Sequence, residues 1–167
     1  MSKRIFQFSL LLAILAIPVL IFLFLKTFGK NQFSIPYYHT QGVRLPFSGC
    51  DYPKDTFHVH LSSQNSKRAN VTLFFGQDAE FTSSDLENVR TRLKALFSKD
   101  MSFVAHNHNA ALDSASLKKL MNCGFVTDTV NQFILHDQKG RIRGYYNTDR
   151  KEVDRLIVEI KILLENE

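Results

Sequence analysis

The residues best suited to metal or redox chemistry in this chain are six histidines and two cysteines. Four of the histidines form two His-x-His pairs, His58-Val59-His60 and His106-Asn107-His108. Side chains alternate along a strand, so on strands each pair would direct both imidazoles to one face, as chelation requires. If the two strands were neighbours, the four imidazoles could hold copper or zinc. Histidines at sheet edges and in loops are common without any ligand, and that reading explains the pairs as simply.

Cys50 and Cys123 lie far apart and form no Cys-x-x-Cys pair, and neither has a basic neighbour suited to lowering a thiol pKa. In an oxidising compartment they could pair and close a long loop. Two separate thiols fit the sequence equally well. Asp78 and Glu80 could meet a cation or a basic partner, or stand as a solvated acidic loop. Asp51, Asp55, Asp85 and Glu87 read as turn and cap residues. Arg141-Ile142-Arg143-Gly144-Tyr145-Tyr146 could offer a docking surface, since exposed Arg and Tyr favour interfaces. An amphipathic strand with Ile142 inward accounts for the same residues.

The elements that must position these groups fit one domain, given 167 residues. The net charge of +5 is dispersed, with no basic stripe interleaved with aromatics, which argues against nucleic acid. Residues 5–25 carry no charge and match the ~20 apolar residues of a transmembrane helix. Pro18 inside the run is tolerated more easily in a membrane than in water. The run exceeds a signal-peptide core and no small-x-small cleavage site follows it, so an uncleaved anchor is expected. Lys3 and Arg4 before the span and Lys26 and Lys30 after it nearly balance, and the amino group tilts the orientation toward N-in. Residues 1–4 are then cytoplasmic, 26–55 a stalk or lead-in, and 56–167 the folded domain.

Strands are expected at 56–61, 71–75, 101–106 and 132–137 from their apolar and β-branched runs. Ser84 with Glu87 gives a capping-box signature for a helix whose face carries Leu86, Val89, Leu93, Leu96 and Phe97. A short helix over 114–122 would end at Gly124 in a left-handed C-cap. Gln138-Lys139-Gly140 turns the chain into a hairpin partner at 141–146. Thr148 can cap a last helix carrying Val153, Leu156, Ile157, Ile160, Leu163 and Leu164. The core order β-α-β-α-β-β-α is that of a thioredoxin-like α/β domain.

Phe28-Gly29-Lys30-Asn31, Ile35-Pro36-Tyr37-Tyr38 and Gly42-Val43 resemble the membrane-proximal region of SCO/SenC-type proteins. Cys50, Tyr52-Pro53 and Phe57-His58-Val59 resemble the segment leading into their domain. The strongest match runs from Leu135-His136-Asp137-Gln138-Lys139-Gly140 through Arg141-Ile142-Arg143-Gly144-Tyr145-Tyr146 to Glu152-Val153-Asp154-Arg155-Leu156-Ile157. The resemblance implies a membrane-anchored, extracytoplasmic, thioredoxin-like protein, of a family that delivers copper to cytochrome oxidase or reduces its cysteines. That work needs a Cys-x-x-x-Cys pair after the first core strand and a histidine before the hairpin. Here residues 76–83 hold no cysteine, and the histidine position falls near Thr129. No proline precedes the hairpin strand.

The expectation is therefore a periplasmic, non-enzymatic binding or assembly factor with a degenerate active site and no cofactor. Its partners would be the membrane, through the N-terminal helix, and a membrane or periplasmic protein such as a respiratory oxidase. The alternative is copper delivery through His58, His60, His106 and His108.

Overall fold

The structure is a computed structural model that describes residues 3–28, 34–59, 67–76, 81–107 and 114–166. The chain divides into two units, Met1–Phe33 and Ser34–Glu167. The first unit is the helix α1 (Lys3–Phe28), 26 residues long with Pro18 inside it. At ~1.5 Å per residue it extends about 39 Å. Its described large apolar side chains from Phe8 to Phe24, Leu15 and Leu20 among them, are exposed. Counted over the described residues, no helix is long and apolar enough to cross a membrane.

The second unit contains β1 (Ala69–Phe75), α2 (Ser83–Phe97), β2 (Met101–Asn107), α3 (Ser114–Lys119), β3 (Gln132–Asp137), β4 (Ile142–Asn147) and α4 (Arg150–Asn166). A π-helical turn, Leu120–Gly124, extends α3. The sheet order is β2-β1-β3-β4. β1 and β2 are parallel, whereas β3 is antiparallel to both β1 and β4. A parallel pair joined by a helix, beside an antiparallel hairpin closed by a helix, is the thioredoxin-like arrangement.

Alternation along β1 splits the core in two. Val71, Leu73 and Phe75 face α2 and α4 with Leu93, Leu156 and Ile160. Phe74 faces the other layer with Ile134, Ile142, Leu117, Met121 and Phe125. All seven residues of β1 are buried, so a strand covered on both faces reads as a continuous apolar run.

Several local expectations shift. The cap of α2 is Thr82 with Asp85, each side chain bonded to the other's backbone N–H, two residues before the expected Ser84 and Glu87. Buried Phe81 just before the cap and Leu86 in the first turn join the same apolar cluster, and this staple selects Thr82. Gly124 takes no left-handed conformation; Val126 does, with φ 54°. The π-helical turn widens the helix end and displaces the reversal by two residues. Asp149, not Thr148, caps α4, its Oδ1 accepting from Glu152 N–H at 3.1 Å.

The strand expected at 56–61 is absent as far as residue 59, beyond which the chain is not described. Residues 56–59 are instead pinned by single bonds, Phe57 N–H to His39 O at 3.0 Å and Val59 N–H to Gly140 O at 2.8 Å. Gly140 sits at φ 78°, and a Cβ there would stand 2.5 Å from Val59 O, so the turn admits only glycine.

Candidate functional site

The resemblance noted in the sequence directs attention to the loop after β1. Gly76 follows β1 directly, and residues 77–80, with Asp78 and Glu80, lie outside the described residues. Phe81 turns inward, edge-on to Phe75 and Phe133 at 5.8 and 6.2 Å. Across from it, Asn131 adopts φ 55°, a conformation asparagine tolerates. Its N–H reaches Phe74 O at 2.6 Å and its Oδ1 accepts from Gly76 N–H at 2.9 Å. Thr127 Oγ1 donates to Gln132 Oε1 at 2.8 Å and accepts from Thr129 N–H at 3.2 Å. No cis peptide occurs among the described residues. The groups described here are amides and hydroxyls bonded to one another. None is a thiol or a titrating acid–base pair.

Both cysteines are elsewhere. Cys50 and Cys123 form a disulfide, with Cα atoms 5.2 Å apart across a sequence separation of 73. The bond joins the lead-in to the π-helical turn. Tyr52 Oη reinforces the same junction by donating to Asn122 O at 2.7 Å. Tyr145 Oη donates to Phe125 O at 3.0 Å and meets His39 Nε2 at 3.1 Å. Burial is the chief cause that pushes the Tyr145 phenol well above its usual range, and burial holds His39 below the usual histidine value. Both groups are therefore neutral at pH 7.

Beside this junction lies a cavity of about 590 Å³, lined by residues 37–45, Phe47 and Val126. Its walls hold three left-handed residues, His39 (φ 55°), Gly42 (φ 79°) and Val126 (φ 54°). For a β-branched residue such as Val126 that conformation is a genuine outlier, and outliers of this kind concentrate at functional sites. Two bonds force it: Val126 N–H to Asn122 O and Thr127 N–H to Met121 O, each at 3.1 Å.

Of the two histidine pairs the structure describes one member each, His58 and His106. His58 is exposed, lies outside any strand, and bonds through Nδ1 to Lys139 O at 2.8 Å. Lys139 follows β3, whose last residue Asp137 is in register with Ala69. His106 lies on β2 in register with Phe74, five residues further along β1, and stacks on the Phe74 ring at 5.4 Å. At ~3.3 Å per residue the two histidines are thus separated by about 17 Å along the sheet. His60 and His108 lie outside the described residues. Among the described residues no cluster of three potential ligands occurs.

The Arg141–Tyr146 segment turns inward rather than presenting a docking face. His136 is in register with Ile142 and Leu135 with Gly144, so Arg143 is an extra, bulged residue. Asp137, 1% exposed at its side chain, accepts from Arg141 Nε at 2.6 Å and Arg143 Nη1 at 3.4 Å. Both guanidinium groups cover the Tyr37 ring, at 4.5 and 4.0 Å. Arg143 also donates to Ile35 O at 3.0 Å, so the bulge clamps the lead-in to β4.

Sequence reasoning assigned no site role to His39, Tyr52 or His136. His136 is 2% exposed, with Nε2 3.2 Å from Thr72 Oγ1. Burial lowers its pKa to about 4, opposed by the weaker pull of Asp137. No local pattern marks these residues, because each acquires its role from a partner at least 60 positions away.

No family model and no curated protein matches the chain. Solved structures similar to it include BsSco, a member of the Sco family of cytochrome c oxidase assembly proteins in which a disulfide switch was identified. That likeness has 12% identity and TM-score 0.49, over 67% of this chain and 96% of the other. A SCO1/SenC family lipoprotein from Bacillus anthracis str. Ames is similar at 12% identity and TM-score 0.46, over 59% and 83%. A thioredoxin-like protein in the oxidized form follows at 12% and 0.44, over 62% and 83%. The chain thus resembles SCO/SenC-family and thioredoxin-like structures, while its own strand order is what defines the fold.

Proposed function

We propose that this chain is a membrane-anchored, extracytoplasmic binding or assembly factor that performs no thiol chemistry at the end of β1. The observation that carries this reading is the placement of both cysteines. They are joined between the lead-in and the π-helical turn, and residues 76–83 contain neither. A dithiol cycle needs two accessible thiolates that attack and resolve, and the chain's sulfur is committed to holding a junction.

The proposed anchor is α1, which rests on the uncharged apolar run of residues 5–25 and on the exposure of its large apolar side chains. A disulfide suits an oxidising compartment, which supports the N-in orientation with the domain in the periplasm. The sequence resemblance to SCO/SenC proteins suggests a respiratory oxidase as the partner complex.

Two measurements on the full chain in detergent or membranes test this. In an insulin-reduction assay with dithiothreitol, the chain should add nothing to the rate of the thiol alone. In native membranes, cross-linking followed by purification should recover it with an integral membrane complex. Turnover that disappears in Cys50→Ser would overturn the non-catalytic reading. Recovery of the chain only in the soluble fraction would overturn the anchor.

A further inference from the structure

The cavity beside the disulfide carries a cation and no anion. Its lining includes Arg44, His39 and Gln41 but no Asp or Glu. Arg44 is exposed and makes no ion pair among the described residues. A guanidinium presents a planar fork of donors matched to a carboxylate. Around it stand Tyr38, Phe47 and Leu45, the last 86% exposed. An apolar surface next to one unpaired arginine is complementary to an apolar group attached to a carboxylate.

We propose that this cavity receives the C-terminal carboxylate of a partner protein chain that ends in an apolar or aromatic residue. The proposal deepens the binding-protein reading above and rests on it. A protein end is favoured over a free small molecule because the site is open. Tyr37, Tyr38 and Leu45 remain 43%, 38% and 86% exposed, whereas small-molecule sites enclose ~70–90% of the ligand surface. A chain end continues out of the cavity and gains contacts along the neighbouring surface.

The geometry that holds the cavity open is partly covalent. The 50–123 disulfide and the Tyr52–Asn122 bond fix the lead-in wall against the turn that carries Val126. Gly42 closes the rim at φ 79°, where a Cβ would stand 3.1 Å from Lys54 O. Binding therefore needs little rearrangement, which favours affinity.

The test is titration of the full chain in detergent with a hexapeptide ending in Ser-Leu-Phe, as the free acid and as the C-terminal amide. N-acetyl-phenylalanine serves as the small-molecule probe. The free acid should bind at least tenfold more tightly than the amide and than N-acetyl-phenylalanine. Arg44→Gln should lose at least tenfold for the acid while melting at the same temperature as the parent. Equal binding of acid and amide, indifference to Arg44→Gln, or no binding at millimolar peptide would overturn the proposal. N-acetyl-phenylalanine binding as tightly as the peptide would reassign the cavity to a small carboxylate and overturn the partner assignment. Failure of the peptide would leave recovery with a membrane complex unaffected, so the two readings fall separately.

Discussion

The end of β1 and the lead-in junction solve the same problem, holding irregular chain against a sheet, with different chemistry. At the end of β1 the described contacts are all neutral hydrogen bonds: Asn131 to Gly76 over 55 positions and to Phe74, and Thr127 to the nearby Gln132 and Thr129. At the junction the contacts span long stretches of sequence: a disulfide over 73 positions, His39 to Tyr145 over 106, and Arg143 to Ile35 over 108. Closing a long loop costs chain entropy, and the disulfide offsets part of that cost where the lead-in meets the π-helical turn. The comparison separates two uses of cysteine. Here sulfur stabilises a wall, and the described residues beside the loop after β1 are joined by amide and hydroxyl hydrogen bonds.

The largest effect should come from cutting the disulfide. In the chain-entropy treatment a loop of this length contributes about 4 kcal/mol. Cys50→Ser/Cys123→Ser should lower the urea-unfolding free energy of the domain by that order. Amide exchange should accelerate in residues 37–59 and much less at the end of β1. Equal acceleration in both regions would erase the distinction between them.

A smaller effect concerns His136, which lies beneath the same junction, its ring 5.9 Å from that of Phe125. Its folded pKa, about 4, lies below the unfolded value near 6.5, so the unfolded chain binds the proton first as pH falls. Its contribution is present in full above pH 6.5 and is lost as pH drops toward 4, a change of roughly 3 kcal/mol. Burial lowers His39 and His106 in the same direction. Urea midpoints between pH 7 and pH 4.5 should therefore fall steeply in the parent and less steeply in His136→Gln. A parallel decline in both proteins would remove His136 as the cause.

The smallest effect has the opposite sign. Asparagine tolerates the left-handed conformation that valine resists. Val126→Asn should therefore raise stability by about 1 kcal/mol, offset in part by lost contact with the second core cluster. Unchanged or lower stability would mean that the packing of Val126 outweighs its strain.

Much of the fold was legible because its signals are local. The apolar runs of β1 and β3, the apolar face of α4 and the Gln138–Gly140 turn follow from side-chain periodicity and from glycine at φ 78°. The cap of α2 was misplaced because two capping boxes overlap, and only the packing of Phe81 with Leu86 chooses between them. The expected strand at 56–61 failed for a related reason. Its alternation is real, with Phe57 and Val59 buried and His58 exposed, but each pinned amide bonds to a loop rather than to a ladder.

What the sequence determined by itself is the alternation of elements, the apolar first helix, and the lack of cysteine in the loop after β1. These depend only on residue identity and short-range period. Tertiary structure decided that Cys50 meets Cys123, that His58 and His106 stand far apart, and that Arg141 and Arg143 face a buried Asp137. Each of these is a contact between distant segments or a shift produced by one bulged residue. Spacing along a chain carries no record of which segments the sheet brings together.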